Sequence, residues 1–273
     1  MTELDYLAEE IYKRYGSVKR ARGSFLYTAK QQRLTDMFRE NGRAILGWGG
    51  SSAFTQFKNV LNRGLTGGFV SDFTNRPQKA ISDLLGTQRK VYLFADKKSA
   101  MEAALNVCSE STSVFKPWSQ ANVDWKTVDA VIVAPPLPWI SGITAVAFNH
   151  TVDIEIKLSH CEEKFKTARF PAPVEAASAR AVYNLIKALQ EMSEKDWFVY
   201  DKVLTRYWRR EGPYLYIKTD VVSREKFPSF LEHCLDCGII INPVYEGCSI
   251  VPFGANPGVF SKLSKAPWIP SDK

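Results

Sequence analysis

The sequence predicts an α/β protein with a mostly parallel sheet, followed by a C-terminal α+β domain. Between residues 77 and 148, helical and strand patterns alternate, the rhythm of a sheet covered on both faces. After residue 171, long helical patterns alternate with short strands, as in helices packed on an antiparallel sheet. Glycines at 42, 47, 49, 50, 64, 67 and 68 mark loops between the N-terminal segment and these regions. The expected divisions are residues 1–50, 51–170 and 171–273.

In chain order, residues 3–15 read as a helix, with Leu4, Leu7, Ala8, Ile11 and Tyr15 at helical spacing and Gly16 as its stop. Residues 25–27 and 33–37 read as two short strands around a turn at Lys30. Residues 52–62 form a helical pattern carrying Phe54, Phe57, Val60 and Leu61. A helix over 77–85 has proline in its first turn. The strand 90–94, the turn 95–98 and the helix 99–108 follow it. Strands are expected near 113–115, at 130–133 closing on Pro135 and Pro136, and at 143–148. Residues 150–156 alternate through Val152, Ile154 and Ile156, which suits a half-exposed strand carrying Asp153. A long helix over 173–193 presents Ala177, Ala181, Leu185, Ile186 and Leu189 on one face. Helices at 195–209 and 223–237 and strands at 214–217, 239–241 and 249–251 complete the pattern.

The 273 residues, 45% of them apolar and 24% charged, have an ordinary globular composition. The apolar runs are shorter than a membrane span and the acidic start lacks a secretory n-region, so a cytoplasmic protein is expected. Five scattered cysteines do not form a disulfide framework. A formal net charge of +7 favours anionic partners weakly. Basic clusters at 13–22, 97–98 and 206–210 accompany no nucleic-acid motif, and solvated helix faces account for them. Neither a membrane nor a nucleic-acid partner is expected.

Short motifs add a family resemblance. RARGSFLY at 20–27, LTD at 34–36 and GRAILG at 42–47 resemble the entry segment of class III aminotransferases of the ornithine and glutamate-semialdehyde type. SAMEAAL at 99–105 resembles the helix after their cofactor-phosphate turn. PVEAASARA at 173–181 and GIIINP at 238–243 resemble the start and a strand entry of their C-terminal domain. All lie in family order. The resemblance implies a truncated fold-type I pyridoxal-phosphate-transferase fold with a reduced large domain of three or four strands. It also implies a homodimer in which the glycine-rich 42–68 region packs on the partner.

The parent chemistry needs a Schiff-base lysine, a carboxylate for the pyridine nitrogen and donors around the phosphate. The turn matching the phosphate site is Asp96, Lys97, Lys98 and Ser99, with lysine where the family has glycine. This leaves a small anion site or an ordinary helix cap. Thr167 stands one residue out of register with the family threonine that reaches the partner's phosphate. Ala134 stands where the matching strand carries glutamate, and Asp153 is the candidate carboxylate. Lys157 is the candidate lysine, but no glycine-rich loop follows it. Cys248 or Ser249 replaces the arginine that binds substrate carboxylate. The pair Cys234 and Cys237 lies at a helix end, where the dipole disfavours a thiolate, and no metal site is expected. The expectation is an aminotransferase-like protein without bound cofactor that acts as a ligand-binding or interaction protein, with an anion site at Lys97, Lys98, Ser99 and Thr167. The alternative is an active pyridoxal phosphate enzyme using Lys157.

Overall fold

A computed structural model describes residues 2–119, 122–139 and 142–269. The chain begins with α1 (Glu3–Tyr15), β1 (Val18–Arg22), β2 (Phe25–Thr28) and β3 (Arg33–Asp36). It continues through α2 (Ser51–Leu61), α3 (Arg76–Leu85), β4 (Arg89–Phe94), α4 (Lys97–Val107), β5 (Thr112–Val114), β6 (Ala130–Val133) and β7 (Thr144–Asn149). Next come α5 (Val152–Cys161), α6 (Ala172–Glu191), α7 (Lys195–Phe198) and α8 (Asp201–Leu204). The chain closes with β8 (Trp208–Glu211), β9 (Tyr214–Ile217), α9 (Phe227–Asp236), β10 (Ile239–Ile240), β11 (Ser249–Ile250) and α10 (Ser261–Lys265). Two compact units result, a central one of residues 50–191 and a terminal one of residues 1–49 with 192–273.

The central unit is built on a sheet of order β4-β7-β6-β5. Successive strand residues point to opposite faces. Ala130, Ile132, Val146 and Phe148 therefore join Phe94 and the inner faces of α4 and α5 in one core. Val131, Val133, Ala145 and Ala147 face the other way, against Ala80, Ile81 and Leu85 of α3 and Ala179 and Val182 of α6. β6 and β7 are thus covered on both sides, which is why they read as unbroken apolar runs. Buried Arg89 closes one end of the sheet by donating to the carbonyls of Val128 at 2.7 Å, Ala147 at 3.4 Å and Trp125.

The pairing corrects the expectation of a mostly parallel sheet. β4, β5 and β6 run in one direction, but β7 is inserted between β4 and β6 and runs against both, so only β5 and β6 pair in parallel. The reason is the link between β6 and β7. It is short, contains Pro135, Pro136 and Pro138, and forms no helix among its described residues, whereas a parallel return needs a crossover of about a dozen residues or more.

A second correction concerns residues 150–156, which form the first turns of α5 rather than a strand. The Thr151 hydroxyl caps the helix by accepting the Ile154 N–H at 3.4 Å, and Asp153 and Glu155 lie in its first turn, where carboxylates favour the dipole. Ile154 and Leu158, four apart, are buried, while Val152 and Ile156 are exposed. The apparent alternation came from apolar residues on opposite sides of a helix. α6 belongs to the central unit, because Ala172, Ala176, Ala177 and Ala181 are small enough for α2 to pack closely against it.

The terminal unit has a sheet of order β1-β2-β3-β10, in which β10 pairs in parallel with β3, Ile239 opposite Thr35. Its second sheet, β11-β9-β8, is antiparallel. α1 lies along α9, with Tyr6 donating to Glu232 at 2.7 Å and Arg14 to Asp236 at 2.9 Å. α9 ends at Gly238, whose φ of 77° reverses the chain into β10. The single helix expected over 195–209 is instead the short pair α7 and α8 followed by β8. Buried Tyr200, between the two helices, donates to the carbonyls of Ala255 at 2.6 Å and Pro252 at 3.1 Å. β1 was not expected, since its residues are nearly all exposed and carry no period of two.

Candidate functional site

The turn resembling a cofactor-phosphate site lies between β4 and α4. Its helix N-terminus is capped from within the chain. One Asp96 carboxylate oxygen accepts the Ser99 N–H at 2.7 Å and the other accepts the Ser99 hydroxyl at 2.9 Å. These two bonds, the backbone one first, hold the Asp96 carboxyl below the usual carboxylate range. A carboxylate therefore occupies the position that the helix dipole offers to an anion. Lys97 and Lys98 are exposed on the first turn.

Around this turn, Ser99 lines a shallow groove of about 50 Å³ with Asn106, Lys164, Phe165 and Lys166. Lys97, Lys98 and Thr167 do not line it. Thr167 is exposed beside the outer edge of β4, where the next residue, Ala168, donates to the Leu93 carbonyl at 2.8 Å. That bond partly covers the open edge of β4, and Phe165 holds the segment down by packing on Tyr92, Phe94 and Phe148. The structure thus brings Ser99 together with the segment preceding Thr167, but does not gather the four expected residues at one point.

Lys157 is exposed on α5, and its carbonyl accepts the Cys161 thiol at 3.0 Å. Asp153 is exposed on the same helix. No lysine among the described residues is buried. Lys90 forms a 2.6 Å ion pair with Glu162, which raises its pKa, the direction opposite to that of an activated amine. His150 lies 3.1 Å from Glu155 at the exposed start of α5. Cys234 is buried with its thiol pKa pushed well up, and burial also raises that of Cys237. Ser249 accepts the backbone N–H of Asn242 at 2.9 Å. Among the described residues no group of three or more His, Cys, Asp or Glu side chains could hold a metal ion, and no helix is long and apolar enough to cross a membrane.

Sequence reasoning passed over two features. In the terminal unit, Arg39, Glu40 and Asn41 take successive left-handed conformations, with φ of 52°, 49° and 52°. Such runs are rare for L-residues. Buried Asp36 sets this turn by accepting the N–H groups of Phe38 and Arg39 at 2.9 and 3.0 Å and Trp48 Nε1 at 2.6 Å. The Arg39 guanidinium donates back to the Asp36 carbonyl at 2.8 Å and to Ser24 Oγ at 2.6 Å. Burial pushes the Asp36 carboxyl up and Arg39 down to about 10, each held back by the other's charge. In the central unit, Arg63 and Arg76 converge on the Phe73 ring beside a cleft of about 300 Å³. The proline after Arg76 signalled a helix start, but no local signal places Arg63 over the same ring.

The folded chain has the architecture of the fold-type I pyridoxal-phosphate-dependent transferases. It is similar to an ornithine aminotransferase from Plasmodium yoelii, with a TM-score of 0.65 and 15% identity over 97% of each chain. An acetylornithine aminotransferase from Elizabethkingia anophelis gives a TM-score of 0.64 at 11% identity, over 96% of this chain and 97% of that one. A serine palmitoyltransferase from S. paucimobilis gives 0.66 at 10%, with the same coverage. At these identities the likeness is one of fold. In sequence, an uncharacterized protein of Treponema pallidum (strain Nichols) is 26% identical over 299 aligned positions, 89% of this chain and 91% of that protein. An uncharacterized protein of Borreliella burgdorferi is 29% identical over 38% of each chain. No family model matches the chain.

Proposed function

We propose that this chain is a reduced, non-catalytic form of a class III aminotransferase, acting in the cytoplasm as a homodimeric ligand-binding or interaction protein. The observation that carries the reading is the Asp96 carboxylate at the start of α4. A phosphate arriving there would meet a like charge and would have to displace both bonds to Ser99, so the donor set does not fit the phosphate of pyridoxal phosphate. The lysines add a second support. A Schiff-base lysine is activated by desolvation or by a neighbouring cation, and every described lysine is at least partly exposed. Lys157 in particular projects from a surface helix.

The test is an absorbance titration of the whole chain with pyridoxal phosphate, followed by borohydride reduction and peptide mapping. The expected result is no stoichiometric visible band and no uniquely labelled lysine. A band that reduces onto a single lysine, whether Lys157 or another, would overturn the reading and make the chain an enzyme.

A further inference from the structure

We propose that the cleft between the end of α2 and the start of α3 binds a small phosphorylated molecule. The cleft measures about 300 Å³ and is lined by Gln56, Asn59, Val60, Arg63, Phe73 and Arg76. That is the lower end of the size range of small-molecule sites. Its floor is rigid, because Phe73 is 2% exposed and packs with Val60, Ala172 and Ala176.

Two cations sit on this floor. The guanidinium carbon of Arg76 lies 4.3 Å from the Phe73 ring centroid and that of Arg63 lies 5.8 Å from it. Cation–π attraction holds both groups near the ring without consuming their in-plane N–H donors. Arg76 uses Nε on the Asp72 carbonyl at 3.1 Å. Its terminal nitrogens, and the whole guanidinium of Arg63, have neither a hydrogen-bond nor a carboxylate partner among the described residues. Arg14, Arg209 and Arg224 instead take carboxylates. Arg20 and Arg33 each stack singly on a separate ring.

Nearby acids do not neutralise the pair. Asp83 is engaged by Lys79 and Tyr183. Glu175 is buried outside the cleft lining, where burial raises its pKa and Thr74 supplies a hydrogen bond. Two guanidinium forks on one wall match the several oxygens and double charge of a phosphate monoester or diphosphate. The Gln56 and Asn59 carboxamides add neutral donors and acceptors for the polar remainder of the ligand. None of the α4-turn residues lines this cleft, and the proposal does not depend on whether pyridoxal phosphate binds.

The experiment is isothermal titration calorimetry of the full chain with inorganic pyrophosphate at fixed ionic strength. Arg63→Gln and Arg76→Gln should each weaken binding by about tenfold or more, the loss of one charge-assisted contact, and the double variant should abolish the signal. Arg63→Lys keeps the charge but not the fork and should recover only part of the affinity. Lys19→Gln with Arg22→Gln, on exposed β1, removes the same formal charge and should leave binding within about twofold, since it touches no contact at the cleft. Both arginines are exposed, so the variants should keep the wild-type far-ultraviolet circular dichroism. Absence of wild-type binding at millimolar pyrophosphate, or equal losses in the β1 control, would overturn the proposal. Binding only to a single-stranded oligonucleotide would also overturn it, in favour of a phosphodiester backbone.

Discussion

Arg39 shows how much one buried residue can organise. Its guanidinium is almost wholly buried, pairs electrostatically with Asp36 and ties the left-handed turn to Ser24, all within the terminal unit. Removing one partner of such a pair leaves an uncompensated charge. Arg39→Met should therefore destabilise the terminal unit by about 3–5 kcal/mol, read as a lower denaturant midpoint. Arg210 is engaged differently, donating to both Asp201 oxygens, at 2.6 and 2.8 Å, and to Glu194. The hydrogen bond from Arg210 is the main cause of a lowered Glu194 pKa. Because its carboxyl is held below the ordinary glutamate value of about 4.5, Glu194 contributes its full stability above that pH and loses it as the pH falls into the more acidic range where the folded carboxyl takes up its proton. The denaturant midpoint should fall over that acidic range in the wild type, and Glu194→Gln should flatten the fall. A midpoint profile unaffected by that substitution would contradict the linkage.

At the scale of elements, α5 offers a clean discrimination. In a strand over 150–156, Ile154 and Ile156 would share a face and cost alike when truncated. In α5, Ile154 is 2% exposed and Ile156 is 53% exposed. Ile154→Ala should cost about 2–5 kcal/mol and Ile156→Ala under about 0.5 kcal/mol by urea denaturation. Equal costs would restore the strand. The misreading has a physical cause, since Val152, Ile154 and Ile156 alternate over too few residues for periodicity to separate a strand from a helix. The capping Thr151 and the Ile154–Leu158 spacing were the better signals. The same limit explains β7, whose doubly buried residues reveal a strand but not its direction. Other elements were legible because local chemistry matched their packing. α3 begins with Pro77 in its first turn and ends at Gly86, and α1 places Leu7 on its packed face.

The whole molecule divides into a continuous central unit and a discontinuous terminal one. The central sheet has its own cores on both faces, made entirely from residues 50–191. A fragment of residues 50–191 should therefore unfold cooperatively, as read by circular dichroism, whereas residues 1–49 alone should remain largely unstructured. The second expectation follows from β3, whose parallel neighbour β10 is supplied from residues 239–240. A non-cooperative melt of the 50–191 fragment would show that its cores do not suffice.

The sequence by itself determined most helices, most strands and the order of motifs that points to a transferase fold, because periodicity, caps and turn residues are local. It also supplied the substitutions in the cofactor turn, since Asp96, Lys97 and Lys98 are legible as residues. Tertiary structure alone decided that β7 is inserted between β4 and β6 and that α6 packs with α2 in the central unit. It alone set Arg63 and Arg76 over one ring. Strand order, helix partnership and the meeting of two cations depend on how separate elements pack against one another, and the periodicity within any one element does not carry that information.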